Sequence, residues 1–281
     1  MGGEDSARGE TGVLKARVGS IDIVALVDTV SGYPAATVYP QAGEAMSAYA
    51  NYLDADGNVV LNFGCYLLRD GLTTVLVDAG WGPEEGGRLP DELAAAGVAA
   101  AEVDFVLFTH LHGDHTGWNI DRATGKPLFA NARYLLPGGD WSYYSKLEPQ
   151  PASFARDVVP LLAAGVMELI DGEHSITTGI TAVPTPGHTP GHTSAAVVSG
   201  GSRGYILGDV VISEVDLAEP GWPNAFDWDN DIARATRHRV LEQLTETTLV
   251  GASHIRSPGL GYFVIEDGRR SWRGYAPGSE G

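Results

Sequence analysis

A single cysteine, Cys65, stands in 281 residues, which rules out an intramolecular disulfide and any zinc cage built on thiolates. It lies in the largely apolar run Val59 to Leu68, where a free thiol reads as a small core residue. Basic residues are scarce as well: 18 Lys and Arg face 36 Asp and Glu, a formal charge of −18. That balance excludes nucleic acid and anionic membrane surfaces as general partners and reads as a solvated acidic surface. No run approaches the roughly 18 apolar residues that a membrane-spanning helix needs. Met1 to Gly12, rich in Gly and Glu, lacks the apolar core of a signal peptide and reads as a disordered tail. Residues 13–281 read as one domain, because no Pro/Ser-rich linker divides them and no internal repeat is evident. The expectation is a cytoplasmic protein acting on a small molecule, with 43% hydrophobic residues to build its core.

Along the chain, Val13 to Val30 alternates as two strands joined near Gly19-Ser20. Val59 to Leu68 and Leu72 to Val77 form a hairpin around Arg69-Asp70-Gly71. Residues 31–58 lie before it, carry Tyr33, Tyr39, Tyr49 and Tyr52, and show no period. A stretch this long reads as a functional loop or an insertion beside a site. Leu89 to Ala101 reads as a helix with Pro90 in its first turn, and Val103 to Phe108 as a buried strand. Ala132 to Leu136, Met167 to Ile170, Ile180 to Val183, Ala195 to Val198, Gly204 to Leu207 and Thr248 to Val250 read as further strands. Helices are expected over Gly139 to Leu147, Ala152 to Ala164 and Ile232 to Leu244, and a closing hairpin over Gly261 to Arg273. Two sheets with helices outside them suit this order, an α+β class.

The chemistry is concentrated at strand exits. The strand ending at Phe108 runs into Thr109-His110-Leu111-His112-Gly113-Asp114-His115, three imidazoles and a carboxylate delivered to one sheet edge. Mixed imidazole and carboxylate donors suit zinc and its neighbours. Three further constellations are weak one by one. Pro186-Gly187-His188-Thr189-Pro190-Gly191-His192 is a rigid turn holding an imidazole, Leu207-Gly208-Asp209 ends an apolar strand, and Ala252-Ser253-His254 follows another. Counting one of His188 and His192, the four supply five histidines and two aspartates, enough for a two-metal site. Spacing alone does not separate His188 from His192.

The set His110-x-His112-x-Asp114-His115, His192, Asp209 and His254, in that order, resembles the metallo-β-lactamase superfamily. The resemblance runs from the Val59 hairpin to the end of the chain. It implies a four-layer αββα sandwich with a dinuclear site at one edge of its two sheets. It also implies one metal on His110, His112 and His192, and a second on Asp114, His115 and His254, with Asp209 bridging. His188 would then be a supporting residue, and His174 and His238 exposed. Two divalent ions, zinc or else manganese, cobalt or iron, set about 3.5–4 Å apart can share a hydroxide that attacks a carbonyl or phosphoryl centre. Asp114 would be the catalytic residue, orienting the hydroxide and passing a proton to the leaving group.

Departures from other branches narrow the reading. Asp209 stands where β-lactamases of this fold often have cysteine, and His112 stands where redox di-iron members have glutamate. Only Ile255 to Gly281 follow the last ligand, too little for the helical domain of glyoxalase II-type thioesterases. The pattern resembles the lactonase and methyl parathion hydrolase-like branch, which implies cleavage of a lactone or carboxylic ester, or alternatively of a phosphotriester. The family also suggests a homodimer. Trp81, Tyr144 and Trp222 are the aromatic candidates for contact with substrate.

Overall fold

Alternate side chains of Leu14–Val18 are buried and exposed in strict turn, the mark of a strand with one face on a core. The computed structural model describes residues 13–266 and 268–278. The tail expected over 1–12, and Asp267 at the tip of the expected closing hairpin, lie outside them. Leu14–Val18 is β1, followed by β2 (Ile21–Pro34), β3 (Asn58–Asp70), β4 (Thr73–Val77), β5 (Phe105–Leu107), β6 (Arg133–Pro137) and β7 (Met167–Ile170). These strands form one sheet in chain order. Pairing is antiparallel through the β3–β4 hairpin and parallel from β4 to β7.

The second sheet holds β8 (His174–Ser175), β9 (Ile180–Pro184), β10 (Thr193–Ser199), β11 (Ser202–Ile206), β12 (Leu249–Gly251), β13 (Leu260–Glu266) and β14 (Arg269–Gly274), again in chain order. Within this sheet only β11 and β12 pair in parallel among the described residues. Ile23, Leu68, Val75 and Leu107 of the first sheet meet Ile180, Val197, Ile206 and Leu249 of the second in a shared core. Each such side chain contributes about 1.5–3 kcal/mol by leaving water. Leu89, Leu93, Phe154 and Leu161 cover the outer face of the first sheet. Val240 and Leu241 of the helix Asn230–Gln243 cover the outer face of the second. The result is the αββα sandwich that the sequence led us to expect.

The helix expected over Leu89 to Ala101 is shorter, Leu89–Ala95. Gly97 adopts a left-handed conformation, φ +77°, and terminates it as glycine does after a helix. The aperiodic stretch 31–58 extends β2 to Pro34 and then winds through Ala35–Val38 and Gly43–Tyr52. Its Val38, Tyr39, Met46 and Tyr49 pack on Leu61, Phe63, Ile212 and Val215, a separate cluster that caps one end of the sandwich. No helix among the described residues is long and apolar enough to cross a membrane. Strands β4, β5, β9, β11 and β12 all end at one edge, where crevices in open α/β sheets form their sites.

Candidate metal centre

Leaving β5, the chain is gripped before it reaches the first histidine. Buried Asp78, immediately after β4, accepts the backbone N–H of Thr109 at 2.7 Å on Oδ1 and its hydroxyl at 2.8 Å on Oδ2. Asp78 has φ +63°, a left-handed conformation that aspartate tolerates better than most residues. Beyond Thr109, His110 Nε2 lies 3.0 Å from His112 Nδ1, and His188 Nε2 lies 3.1 Å from that same atom. These three nitrogens form one group whose donor atoms all lie within 4.8 Å of one another.

Asp114, His115 and His254 form a second such group, and His110, His115 and Asp209 a third that ties the first two together. His254, after β12, has Nε2 3.0 Å from Asp209 Oδ2 and 3.4 Å from Asp114 Oδ2. His115 Nε2 lies 3.3 Å from Asp209 Oδ1 and 3.5 Å from Asp114 Oδ2. Asp209, just past β11, therefore sits between the two halves. Three of the rings are held from behind. His115 Nδ1 bonds Asp78 Oδ2 at 2.8 Å, His254 Nδ1 bonds the Asn62 carbonyl at 2.7 Å, and His188 Nδ1 bonds Asp227 Oδ1 at 3.1 Å. Such partners fix the proton on Nδ1 and turn Nε2 toward a cation.

His192, the expected ligand, lies in none of these groups. It is fully buried beside the cluster, but both its nitrogens are spent within the protein. Nδ1 bonds Thr185 Oγ1 at 2.9 Å, and Nε2 accepts the Asp209 backbone N–H at 3.0 Å. His188 takes the place in the first group. The turn that aims it is set by Gly187, at φ +134°, where a Cβ would collide with the backbone of Ala233 in the helix Asn230–Gln243. That helix also donates Thr236 Oγ1 to the Pro186 carbonyl at 2.7 Å. Of the other histidines, His238 is exposed and His174 half-buried in β8.

Of the seven buried side-chain atoms without a hydrogen-bond partner among the described residues, two, His115 Nε2 and Asp209 Oδ1, belong to these groups, although buried polar atoms are ordinarily satisfied. Both face the space between the groups. The charges make the same case. Burial works against ionising Asp209, yet His254 and His115 hold its carboxyl well below the usual range. Burial likewise opposes protonation of His254, and Asp209 and Asp114 outweigh it, raising the imidazole to about 10. His115 is raised in the same way by Asp209, Asp114 and Asp78. Burial, then the proximity of His188, pushes His112 down to about 4. His110 and His112 are thus held toward the neutral form, while His115 and His254 collect positive charge around two carboxylates. This donor set suits two divalent cations.

A cavity of about 310 Å³ opens above the cluster. His112, Asp114, His188, Asp209 and His254 lie on one side of it, and Tyr33, Leu61, Phe63, Trp81, Ile212 and Phe226 on the other. Trp81, expected from the sequence, lines the cavity and packs on Phe63 with ring centroids 4.3 Å apart. Tyr144 and Trp222 do not line it. Tyr144 is buried with its ring edge-on to His112 at 6.1 Å. Trp222 lies behind the wall, edge-on to Tyr49 at 5.4 Å and Tyr39 at 6.4 Å. The sequence reading did not identify the roles of Tyr33, Leu61, Phe63 and Ile212, nor of the supports Asp78, Asn62, Asp140 and Asp227. Asp140 clasps the two ligand loops, accepting Leu111 N–H at 3.0 Å, Thr189 Oγ1 at 2.9 Å and Gly191 N–H at 2.6 Å. Asp78 carried a usable signal, since it follows an apolar strand just as Asp209 does.

Comparison with known proteins found relatives in sequence and in fold. Metallo-beta-lactamase domain-containing protein 1 of Homo sapiens is 29% identical over 167 residues, 59% of this chain and 53% of that protein. Its Xenopus laevis counterpart is 34% identical over 162 residues, 57% of each. The chain thus spans little more than half the length of the curated relatives it matches. Among solved structures, AidC, a dizinc quorum-quenching lactonase in complex with a product, has a TM-score of 0.83 at 22% identity, over 97% of this chain and 99% of that one. The hydrolase AbOPH of the beta lactamase superfamily has a TM-score of 0.79 at 25% identity, over 94% and 97%. The family model of the metallo-beta-lactamase superfamily matches residues 65–270, a span that holds His110, His112, Asp114, His115, His188, Asp209 and His254, and the chain belongs to that superfamily.

Proposed function

We propose that this chain is a metal-dependent hydrolase that cleaves an uncharged lactone or carboxylic ester bearing an apolar arm. The carrying observation is the cavity: a ligand cluster faces an apolar wall of Leu61, Phe63, Trp81, Ile212 and Phe226, and no lysine or arginine lines it among the described residues. A negatively charged substrate would find no lysine or arginine in this wall to pair its charge. A neutral ester with an apolar arm needs no such partner.

In this reading His110, His112 and His188 hold one cation, Asp114, His115 and His254 a second, and Asp209 lies between them. Bound there, two zinc ions would supply Lewis acidity for the carbonyl oxygen and lower the pKa of water toward about 7. The reading of zinc draws on the imidazole and carboxylate donor set and on the dizinc description of AidC. Asp114 has 22% of its side chain exposed, against 3% for Asp209, so it is the carboxylate able to pass a proton to the leaving alkoxide. Tyr33 adds a phenol to the cavity mouth. Burial, then the charge of Asp114, raises its pKa, which keeps it a hydrogen-bond donor to the substrate.

The test is a hydrolysis panel on the zinc-loaded chain: alkyl lactones, aryl esters, a neutral phosphotriester and a β-lactam. Lactones or aryl esters should give the highest kcat/KM, and chelation should abolish turnover. Preference for the phosphotriester or the β-lactam, or turnover indifferent to chelation, contradicts the proposal.

A further inference from the structure

Arg237 lies on the inner face of the helix Asn230–Gln243 and is 1% exposed. All its donors point at the scaffold of the centre. Nε donates to the Val210 carbonyl at 2.9 Å, one residue beyond Asp209. Nη1 donates to the carbonyls of Pro220 at 3.2 Å and Trp222 at 3.0 Å, in the segment behind the cavity wall. Nη2 donates to Asp227 Oδ2 at 3.2 Å. Asp227 also accepts Asn224 Nδ2 on that oxygen at 2.9 Å and bonds His188 Nδ1 through Oδ1 at 3.1 Å. Asp216 Oδ1, 3.9 Å from Nη1, adds a second buried carboxylate.

A buried guanidinium is costly unless its charge and hydrogen bonds are met, and here its fork spans three separate segments. We infer that Arg237 is a positioning residue for the metal centre: through Asp227 it sets the ring and tautomer of His188, and through Val210, Pro220 and Trp222 it ties that ligand to Asp209 and the cavity wall. This rests on the reading of His110, His112 and His188 as a cation site. Lysine at 237 keeps a positive charge between Asp216 and Asp227 but loses the planar fork that reaches the carbonyls and Asp227 together. Asparagine at 227 must leave either His188 Nδ1 or the donors of Asn224 and Arg237 facing an amide NH2.

Zinc titration of the full chain in chelator buffers, with elemental analysis of bound metal, tests this on Arg237→Lys, Asp227→Asn and the double variant. Asp227→Asn is close in size and shape, so it serves where Arg237→Lys folds poorly. The wild type should take two equivalents. Each single variant should hold one of them about 10–100-fold more weakly, as loss of a support to a metal-bound histidine does. The double variant should lose less than the sum of the two single losses, because both act on His188 through the Arg237–Asp227 contact. A merely structural Arg237 would lower the melting temperature without selectively weakening one equivalent. A wild type that binds no zinc overturns the cation-site reading along with the inference. Two equivalents in the wild type and unchanged affinities in the variants, or losses that add in the double variant, overturn the role of Arg237 alone.

Discussion

Asp78→Asn isolates one support of the centre with little else disturbed. The residue sits at φ +63°, where asparagine is the best tolerated replacement, so the backbone adds no strain. The carboxylate meets three donors: Thr109 N–H at 2.7 Å on Oδ1, and Thr109 Oγ1 and His115 Nδ1, each at 2.8 Å, on Oδ2. An amide has one oxygen. If that oxygen keeps the rigid Thr109 N–H, the NH2 faces His115 Nδ1; if it flips, the NH2 faces the N–H. The Thr109 hydroxyl can rotate, but Thr109 and His115 are both buried, at 0% and 1% exposure. One N–H is then left unmatched, at about 1–3 kcal/mol. The alternative is that His115 moves its proton to Nε2, the atom facing Asp209 and Asp114, and is lost as a ligand. Either way one of two bound metals should weaken about 10–100-fold, and the metal-free chain should melt several degrees lower. Chelator-buffered zinc titration and thermal melts read both quantities. Wild-type affinity for two equivalents would refute the role given to Asp78 and with it the ligation by His115 Nε2.

His188→Ala should cost one equivalent of metal and nearly all turnover, while His192→Gln should keep two equivalents and lose stability through its bonds to Thr185 and Asp209. The opposite pattern by elemental analysis would restore His192 as the ligand. Zinc uptake should release protons, because His254, raised to about 10, is charged at pH 8 in the metal-free chain and must be neutral to ligate. About one proton per chain is expected from it, and affinity should climb with pH until His254 titrates. Calorimetric heats that do not vary with buffer ionisation enthalpy would contradict this. Trp81→Ala should raise KM most for substrates with long apolar arms and leave metal content unchanged; an equal loss for short and long arms would remove Trp81 from the binding wall.

Local patterns made most of the fold legible. The hairpin of β3 and β4, the strand before His110 and the helix Asn230–Gln243 all follow from short-range alternation, turn residues and periodicity. The cluster from His110 to His115 was readable because its ligands share one strand exit. The choice between His188 and His192 was not readable, since it depends on Gly187 pressed against Ala233 and on Asp227, 39 residues away in sequence. The same holds for Asp140 and Arg237, whose roles arise only when distant loops meet. The aperiodic stretch 31–58 signalled proximity to the site correctly, but its wall residue Tyr33 and the backing of Trp222 by Tyr39 and Tyr49 are tertiary facts. Among the aromatic candidates, sequence supplied chemistry and left direction to packing.

Anomalous diffraction from a zinc-loaded crystal, collected at the zinc edge, tests the central claim most directly. Two peaks should appear at the sheet edge, one bounded by His110, His112 and His188 and the other by Asp114, His115 and His254, with Asp209 between them and both His192 nitrogens still bonded to protein. A single peak, or a peak ligated by His192 with His188 turned away, would contradict the account.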